Sequence, residues 1–153
     1  MSAQDIMIRP LEDADHEAWE GLFRAYIRFY EAQVPDEVIA LAWQRLLKQE
    51  DGFLALVATD ENGDASGRLV GLAHALFHRS TWSATYYCYL EDLFVDPAAR
   101  GQGMGRALIE AVYAHADKRG ATRTYWATRG DNATARRLYD GLAILSPFVQ
   151  YRR

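Results

Sequence analysis

Residues 89–109 read YLEDLFVDPAARGQGMGRALI, and the way this stretch divides decides the fold. Tyr89 to Val95 is an apolar strand interrupted by two adjacent acids, Glu91 and Asp92. Asp96-Pro97 stops it, because proline offers no N–H to a ladder. Gly101, Gly103 and Gly105 follow, and from Gly103 to Arg119 apolar residues return at helical steps. Three glycines at a helix start lower its propensity without an evident packing return. Their use is in the backbone: the first N–H groups of a helix are unpaired and lie at the positive end of its dipole. Such a turn cradles a phosphate or pyrophosphate without needing a side chain.

Glycine spacing separates the phosphate-binding loops from one another. A dinucleotide fingerprint starting at Gly101 and Gly103 needs a third glycine at 106, where the chain has Arg106. A P-loop needs Gly-Lys-Ser/Thr after the turn, and none follows. A nucleotide-binding protein is therefore disfavoured. What remains, Arg100-Gly101-Gln102-Gly103-Met104-Gly105, is an R-x-x-G-x-G that resembles the acetyl-CoA pyrophosphate loop of the GNAT superfamily of N-acetyltransferases. The strand before it, the Asp96-Pro97 stop and the helix after it stand where that family has them.

Outward from this segment, Ile6 to Arg9 alternates as a short first strand that Pro10 ends. Between Asp13 and Tyr30 the residues Trp19, Leu22, Phe23, Tyr26, Ile27 and Tyr30 recur at steps of three and four, which predicts one face of a helix. A second helix is expected after Pro35-Asp36, with Ile39, Ala42, Trp43, Leu46 and Leu47 on one side and Gly52 as its stop. Phe53 to Thr59 and Leu69 to Phe77 read as strands joined by a hairpin loop from Asp60 to Gly67. Further strands are expected at Thr122 to Thr128 and Phe148 to Tyr151, with a short helix, Asn132 to Asp140, ended by Gly141. The order β-α-α-β-β-β-α-β-α-β is an α/β domain with helices on both faces of a mixed, mostly antiparallel sheet. It matches the GNAT fold over residues 1–153, as one domain.

At 153 residues, half apolar and a quarter charged, the chain suits one globular domain. A domain of this length buries roughly 70% of its unfolded surface, enough for a core without disulfides or metal. Its single cysteine, Cys88, has no partner for a bridge and fits a reducing compartment. The amino terminus, MSAQDIMIRP, lacks a basic region leading into an apolar stretch, and no apolar run nears the ~20 residues that span a bilayer. The expected setting is the cytoplasm, away from membranes. A net charge of −4 argues against nucleic acid as the main partner and is compatible with a cationic substrate.

Acetyl transfer from a thioester to an amine needs a held donor, an unprotonated amine, a site for the developing oxyanion and a proton for the leaving thiolate. The resemblance implies the first through the backbones of Leu93, Phe94 and Val95 and through Arg100, Gly101, Gln102, Gly103, Met104, Gly105, Arg106 and Asn132. It implies Leu93 N–H as the oxyanion donor. Arg136 and Arg137 are further candidates for phosphate, and Asn132 also suits a helix N-cap. Glu91 and Asp92 lie in a strand otherwise apolar, where acids are costly unless paired or used. One reading pairs one of them with an arginine and leaves the other at a solvated cleft. The sharper reading has Glu91, directly or through a water, take a proton from the acceptor ammonium, while Asp92 binds the amine's charge or orients the strand. Polyamine-acetylating members carry a glutamate in a similar L-E-D strand.

Tyr139 falls seven residues after Asn132, which resembles the family's pairing of a CoA-contacting asparagine with a general-acid tyrosine; it also suits the edge of a core. Tyr30 and Glu31 border the acceptor pocket by the same resemblance. His74 and His78 share a strand face, and with no further His or Cys nearby no metal site is expected. The chain departs from the family after its last helix, where Ser146-Pro147-Phe148 replaces Gly-Phe, and this bears on the pairing of the final strand and on a shared-strand dimer. The resemblance thus implies an acetyl-CoA-dependent N-acetyltransferase with no metal, closest in motif to the diamine (spermidine/spermine) acetyltransferases and related fungal histone and polyamine acetyltransferases. The expected acceptor is a small polyamine-like or amino-acid-like amine, with a protein lysine or N-terminus second. The rival class is a CoA-binding sensor or scaffold without turnover. A homodimer is compatible with the family, with exposed aromatics such as Trp82 available to it.

Overall fold

Alternation within one strand sets the layers. In β2 (Phe53–Asp60), Leu54, Leu56 and Ala58 point to one side, Ala55 and Val57 to the other, and all five are buried. A strand apolar on both sides needs a covering layer on each. Both layers are present in the computed structural model, which describes residues 6–60 and 68–153. Among those residues the sheet runs β1 (Ile6–Pro10), β2, β3 (Arg68–His78), β4 (Tyr87–Val95), β5 (Arg123–Tyr125), in that spatial order. The first four strands pair antiparallel and β4 pairs β5 in parallel. On one face lie α1 (His16–Phe29) and α2 (Asp36–Lys48), anchored by Trp19, Leu22, Ile39, Trp43 and Leu46. On the other lies α3 (Met104–Lys118), which buries Met104, Leu108, Ile109, Val112 and Ala116, with Leu138 and Tyr139 of α4 (Ala133–Asp140) packed beside it.

The ladder between β3 and β4 slips by one residue in the middle. Ala75 faces Leu90, yet His74 faces Asp92, so Glu91 is an extra residue without an opposite number. One added residue turns every later side chain to the other face. Cys88 and Leu90, before the bulge, join the α3 cluster, whereas Phe94, after it, joins the cluster under α1 and α2. The bulge therefore swings Asp92 away from the apolar α3 side and toward α1.

Three expectations need correction. The strand expected over Phe148 to Tyr151 does not form: the chain there has no ladder partner, and Phe148 and Tyr151 are 87% and 94% exposed. The strand expected from Thr122 to Thr128 pairs only over Arg123–Tyr125, because β4 and β5 part after Tyr89↔Tyr125. The second helix ends at Gln49, which takes the left-handed cap conformation at φ 55°, rather than at Gly52. Gly52 serves another purpose, since a Cβ there would sit 2.5 Å from the Phe77 carbonyl oxygen. The turn pairs within residues 61–67 lie outside the described residues.

Leu108 is fully buried at the centre of the α3 face, and a Cβ on Gly71 would stand only 3.2 Å from its Cδ1. Truncation there leaves a cavity with nothing nearby free to fill it. Leu108→Ala is expected to destabilise by about 2–5 kcal/mol, read as a lower urea midpoint at unchanged slope.

Candidate active site

Asp96 turns the chain out of the sheet. Its N–H donates to the Val70 carbonyl at 2.7 Å, and its carboxylate accepts from the Ala98 N–H at 2.9 Å, closing the 3₁₀ turn Pro97–Ala99. Gly101 and Gly103 follow at φ +79° and +83°, where an L side chain is strained. A Cβ on either would find no atom within 4 Å, so the loop wraps open space. Gly103 is the N-cap of α3 and no side chain caps it. The Ala107 N–H bonds the Gly103 carbonyl at 3.0 Å, which leaves the amides of Met104, Gly105 and Arg106 ahead of the first helical bond. Gln102 lies in the same loop with its side-chain oxygen buried and unpartnered; with the amide turned over, that position offers an N–H to an anion. Gly105 does have a packing return, contrary to expectation: its Cβ would meet Leu138 Cδ2 at 3.2 Å, so it lets α4 approach α3.

The gap between β4 and β5 opens beside this loop. Asp96 N–H to Val70 O continues the register that pairs Phe94 with Leu72, and in an antiparallel ladder hydrogen-bonded residues alternate. Asp92 and Phe94 thus turn their backbone groups to β3, and Leu93 and Val95 turn theirs to the edge that β5 has left. Arg100 agrees with this, since its Nε donates to the Val95 carbonyl at 3.0 Å while its guanidinium lies over the rings of Phe29 and Phe94. A cavity of about 380 Å³ joins the edge to the glycine loop. Leu93, Phe94, Val95, Arg100, Gly101, Gly103, Met104, Gly105, Arg106, Asn132, Tyr139 and Tyr30 all line it, as does Phe29. A larger hollow, about 540 Å³, lies between α1 and α2 around Arg24 and Arg28. It has neither the glycine turn nor the strand gap, so its size does not make it the reaction site.

Neither acid lines the cavity, and among the described residues neither meets an arginine. Glu91, the bulged residue, projects into solvent at the cleft, yet enough protein surrounds it that desolvation, and then the charge of Asp92, raise its pKa above the ordinary glutamate value. Asp92 turns inward and accepts from His74 Nδ1 at 2.8 Å. His74 is 2% exposed, and its other ring nitrogen, Nε2, accepts from Trp19 Nε1–H at 2.9 Å. Burial, and then the charge of Asp92, raise the pKa of the Tyr26 phenol. Trp19 and Tyr26 were expected first as helix core, and His74 as a strand residue that at most lines the acceptor cleft. Trp19 and His74 lie 55 residues apart, and a tryptophan in a helical apolar stripe gives no sign that its N–H is spoken for. His78 is separate, bonding the Tyr125 hydroxyl at 2.7 Å. Among the described residues no group of three or more His, Cys, Asp or Glu could hold a metal ion.

Across the cleft, Asn132 caps α4 by accepting from the Ala135 N–H at 3.3 Å, and α4 presents Tyr139 edge-on to Trp126 with ring centroids 5.4 Å apart. Desolvation, then the nearby Tyr30, raise the Tyr139 pKa, so its phenol is neutral near pH 7 and holds a proton to give. Glu31 follows α1 in a left-handed turn at φ 54°. Arg136 is turned to the Gly130 carbonyl at 2.7 Å, and neither it nor Arg137 lines the cavity.

A glycine loop with free amides beside an open strand edge is what acyl transfer from a phosphate-bearing carrier needs, and known proteins agree. A model of the acetyltransferase (GNAT) family matches residues 19–142. D-amino-acid N-acetyltransferase HPA3 of Saccharomyces cerevisiae is 36% identical over 149 residues, which cover 97% of this chain and 90% of that protein. The uncharacterized N-acetyltransferase YhfO of Bacillus subtilis is 32% identical over 146 residues, 94% of each. Among solved structures, the aminoglycoside N-acetyltransferase AAC(6')-Iy in complex with CoA superposes with a TM-score of 0.79 at 22% identity, over 97% of this chain and 94% of the other, a likeness of fold. With the family's own pattern running through all but the ends of the sequence, from Trp19 to Leu142, the chain belongs to the GNAT family of acetyltransferases.

Proposed function

We propose that the protein is an acetyl-CoA-dependent N-acetyltransferase whose acceptor is a small primary amine, amino-acid-like or polyamine-like, which attacks the thioester directly. The observation that carries this reading is the bulge, which sets the Glu91 carboxyl beside a strand edge whose next free N–H belongs to Leu93. Acetyl-CoA supplies the acetyl group as a thioester. The free amides from Gly101 to Arg106, with Gln102, hold its pyrophosphate, and Val95, Arg100 and Asn132 border its path. Glu91 takes the proton from the acceptor ammonium, and its raised pKa suits a base working near neutrality. The N–H of Leu93 faces the charge that develops on the acyl oxygen. As the new C–N bond replaces the C–S bond, Tyr139 gives its proton to the departing sulfur, and the second proton that the attacking nitrogen loses as the amide forms restores the phenol.

The acceptor side supports a small amine. Tyr30 lines the cavity, and Arg129 lies close enough to Tyr30 and Glu31 that they add to the rise that Asp131 gives the arginine's pKa. Arg129 forks onto Asp131 at 3.1 and 3.2 Å and offers a cation for a substrate carboxylate. This, together with the D-amino-acid acetyltransferase named among the relatives, favours an amino acid over a polyamine. A thiol-release assay over D- and L-amino acids, polyamines, aminoglycosides and lysine peptides tests the ranking. Turnover of peptides alone would move the acceptor to protein amines, and no turnover with any amine alongside tight CoA binding would leave a binding module.

The chain is further proposed to work as a homodimer in the cytoplasm. Leu145, Phe148, Val149 and Tyr151 are exposed in the tail, β5 pairs on one side only, and Arg152 comes near enough to Tyr89 to act on it electrostatically. Apolar side chains so exposed beside an unpaired strand edge suit exchange of tails with a second copy. Cys88, buried and with its thiol pushed up to about 11, has nothing to gain from an oxidising compartment.

Glu91→Gln is expected to lower kcat by about 10²–10⁴-fold with acetyl-CoA still bound, and Tyr139→Phe to act in the same direction. The base must be ionised, so kcat/KM of the wild type rises with pH through a value above the ordinary glutamate range, and Glu91→Gln loses that acid limb. Isothermal titration with CoA checks that binding survives in both variants. Deleting residues 145–153 is expected to convert a dimer to a monomer by light scattering; a full-length chain that is already monomeric at high micromolar concentration rejects the exchange.

A further inference from the structure

The reaction proposed above does not use the most buried polar groups in the molecule. Trp19, fully buried on α1, donates to His74 Nε2, and His74 Nδ1 bonds Asp92; Tyr26, two turns further along α1, is near enough for the Asp92 charge to act on its phenol. An indole N–H can only donate, so His74 Nε2 must carry its lone pair. The proton is then on Nδ1, and the bond to Asp92 runs from imidazole to carboxylate. A second proton on Nε2 would face the indole N–H head-on. The tryptophan thus fixes which ring nitrogen of His74 faces Asp92 as a donor.

Asp92 is the first residue after the bulge, and its side chain is 16% exposed, with one edge toward the cleft. Held from β3 by His74, it cannot rotate to the cleft without breaking that bond. We infer that Trp19, His74 and Asp92 form a one-way hydrogen-bond chain that pins β4 immediately past the bulge, making His74 and Asp92 positioning residues for the Glu91 carboxylate and the Leu93 N–H. This rests on the role proposed for Glu91. The chain divides two adjacent acids between two tasks: Asp92 stays a tied anion, and its charge raises the pKa of Glu91 beside it.

The other groups facing Glu91 are His74 from β3, Tyr26 from α1, Tyr89 on β4 and Tyr125 from β5. All three phenols have raised pKa values and are neutral through the working range, which leaves Asp92 as the anion acting on the base among the described residues. Removing that anion must lower the Glu91 pKa.

The test combines kinetics with ¹⁵N NMR of the histidine rings. In the wild type, His74 should report the Nδ1–H tautomer; an Nε2–H tautomer overturns the inference without any variant. Asp92→Asn should move the acid limb of kcat/KM to lower pH, a change that loss of packing alone does not produce, and an unmoved limb in a folded variant overturns the charge coupling. Trp19→Phe keeps an aromatic ring in the core but removes the N–H together with part of the indole's bulk, so the variant is first shown to be folded by its near-UV circular dichroism. It should lower kcat by about 10-fold to 10²-fold, the loss that follows a small displacement of reacting groups, with the KM for acetyl-CoA unchanged. An unaltered kcat overturns the pinning. Glu91→Gln serves as the control: if it retains the acid limb, the role of Glu91 fails, and the histidine tautomer still judges the chain on its own.

Discussion

One inserted residue governs the reaction side of this fold. Without Glu91 as an extra member of β4, the alternation that buries Cys88 and Leu90 against α3 would carry Asp92 and Phe94 to the same apolar side. An aspartate among Leu108, Ile109 and Val112 has no partner, and its burial there would be prohibitive. With the insertion, Asp92 swings to the α1 face, where His74 and Tyr26 await it, and Phe94 fills the cluster around Trp19 and Leu72. The same insertion bends the strand away from β5, and the parting of those two strands makes the cavity. Core packing, the polar chain and the open edge are three results of one slip in register.

The donor half of the site could be read from the chain because backbone geometry writes itself into glycine positions. Gly101 and Gly103 take φ values that other residues avoid, and the helix start they create was legible in their spacing. Gly105 was legible only as a glycine: its contact with Leu138 depends on where α4 docks, 33 residues later in sequence. The layers were legible too, since β2 alternates and α1 and α2 carry apolar stripes. The bulge was not, because Leu90-Glu91-Asp92-Leu93 reads equally well as an unbroken strand with one acid on each face. Only the partner strand, with His74 opposite Asp92, reveals which acid is extra.

The polar chain was hidden for a different reason. Trp19 and Tyr26 fit the apolar stripe of α1, and every apolar neighbour they were expected to touch, they do touch. Their polar tips are additional information that periodicity does not carry. The last strand failed for the converse reason: Phe148-Val149-Gln150-Tyr151 has the composition of a strand, but a strand needs a partner with free N–H and C=O groups at the right place, and within one chain the tail does not pair.

These observations divide the protein into two chemistries. In the reading proposed above, main-chain amides of the Gly101–Arg106 loop, the Gln102 side chain and the edge groups of Leu93 and Val95 build the donor side. In the same reading, side chains from four separate elements build the acceptor side: Tyr26 of α1 with Tyr30 at its end, His74 from β3, Glu91 and Asp92 from β4, and Tyr139 from α4. The first is a property of local sequence and identifies the family. The second is a property of assembly, fixed only when β3, β4 and α1 meet, so the choice of amine can change at Glu31 or Arg129 without touching the cradle or the bulge that make acetyl transfer possible.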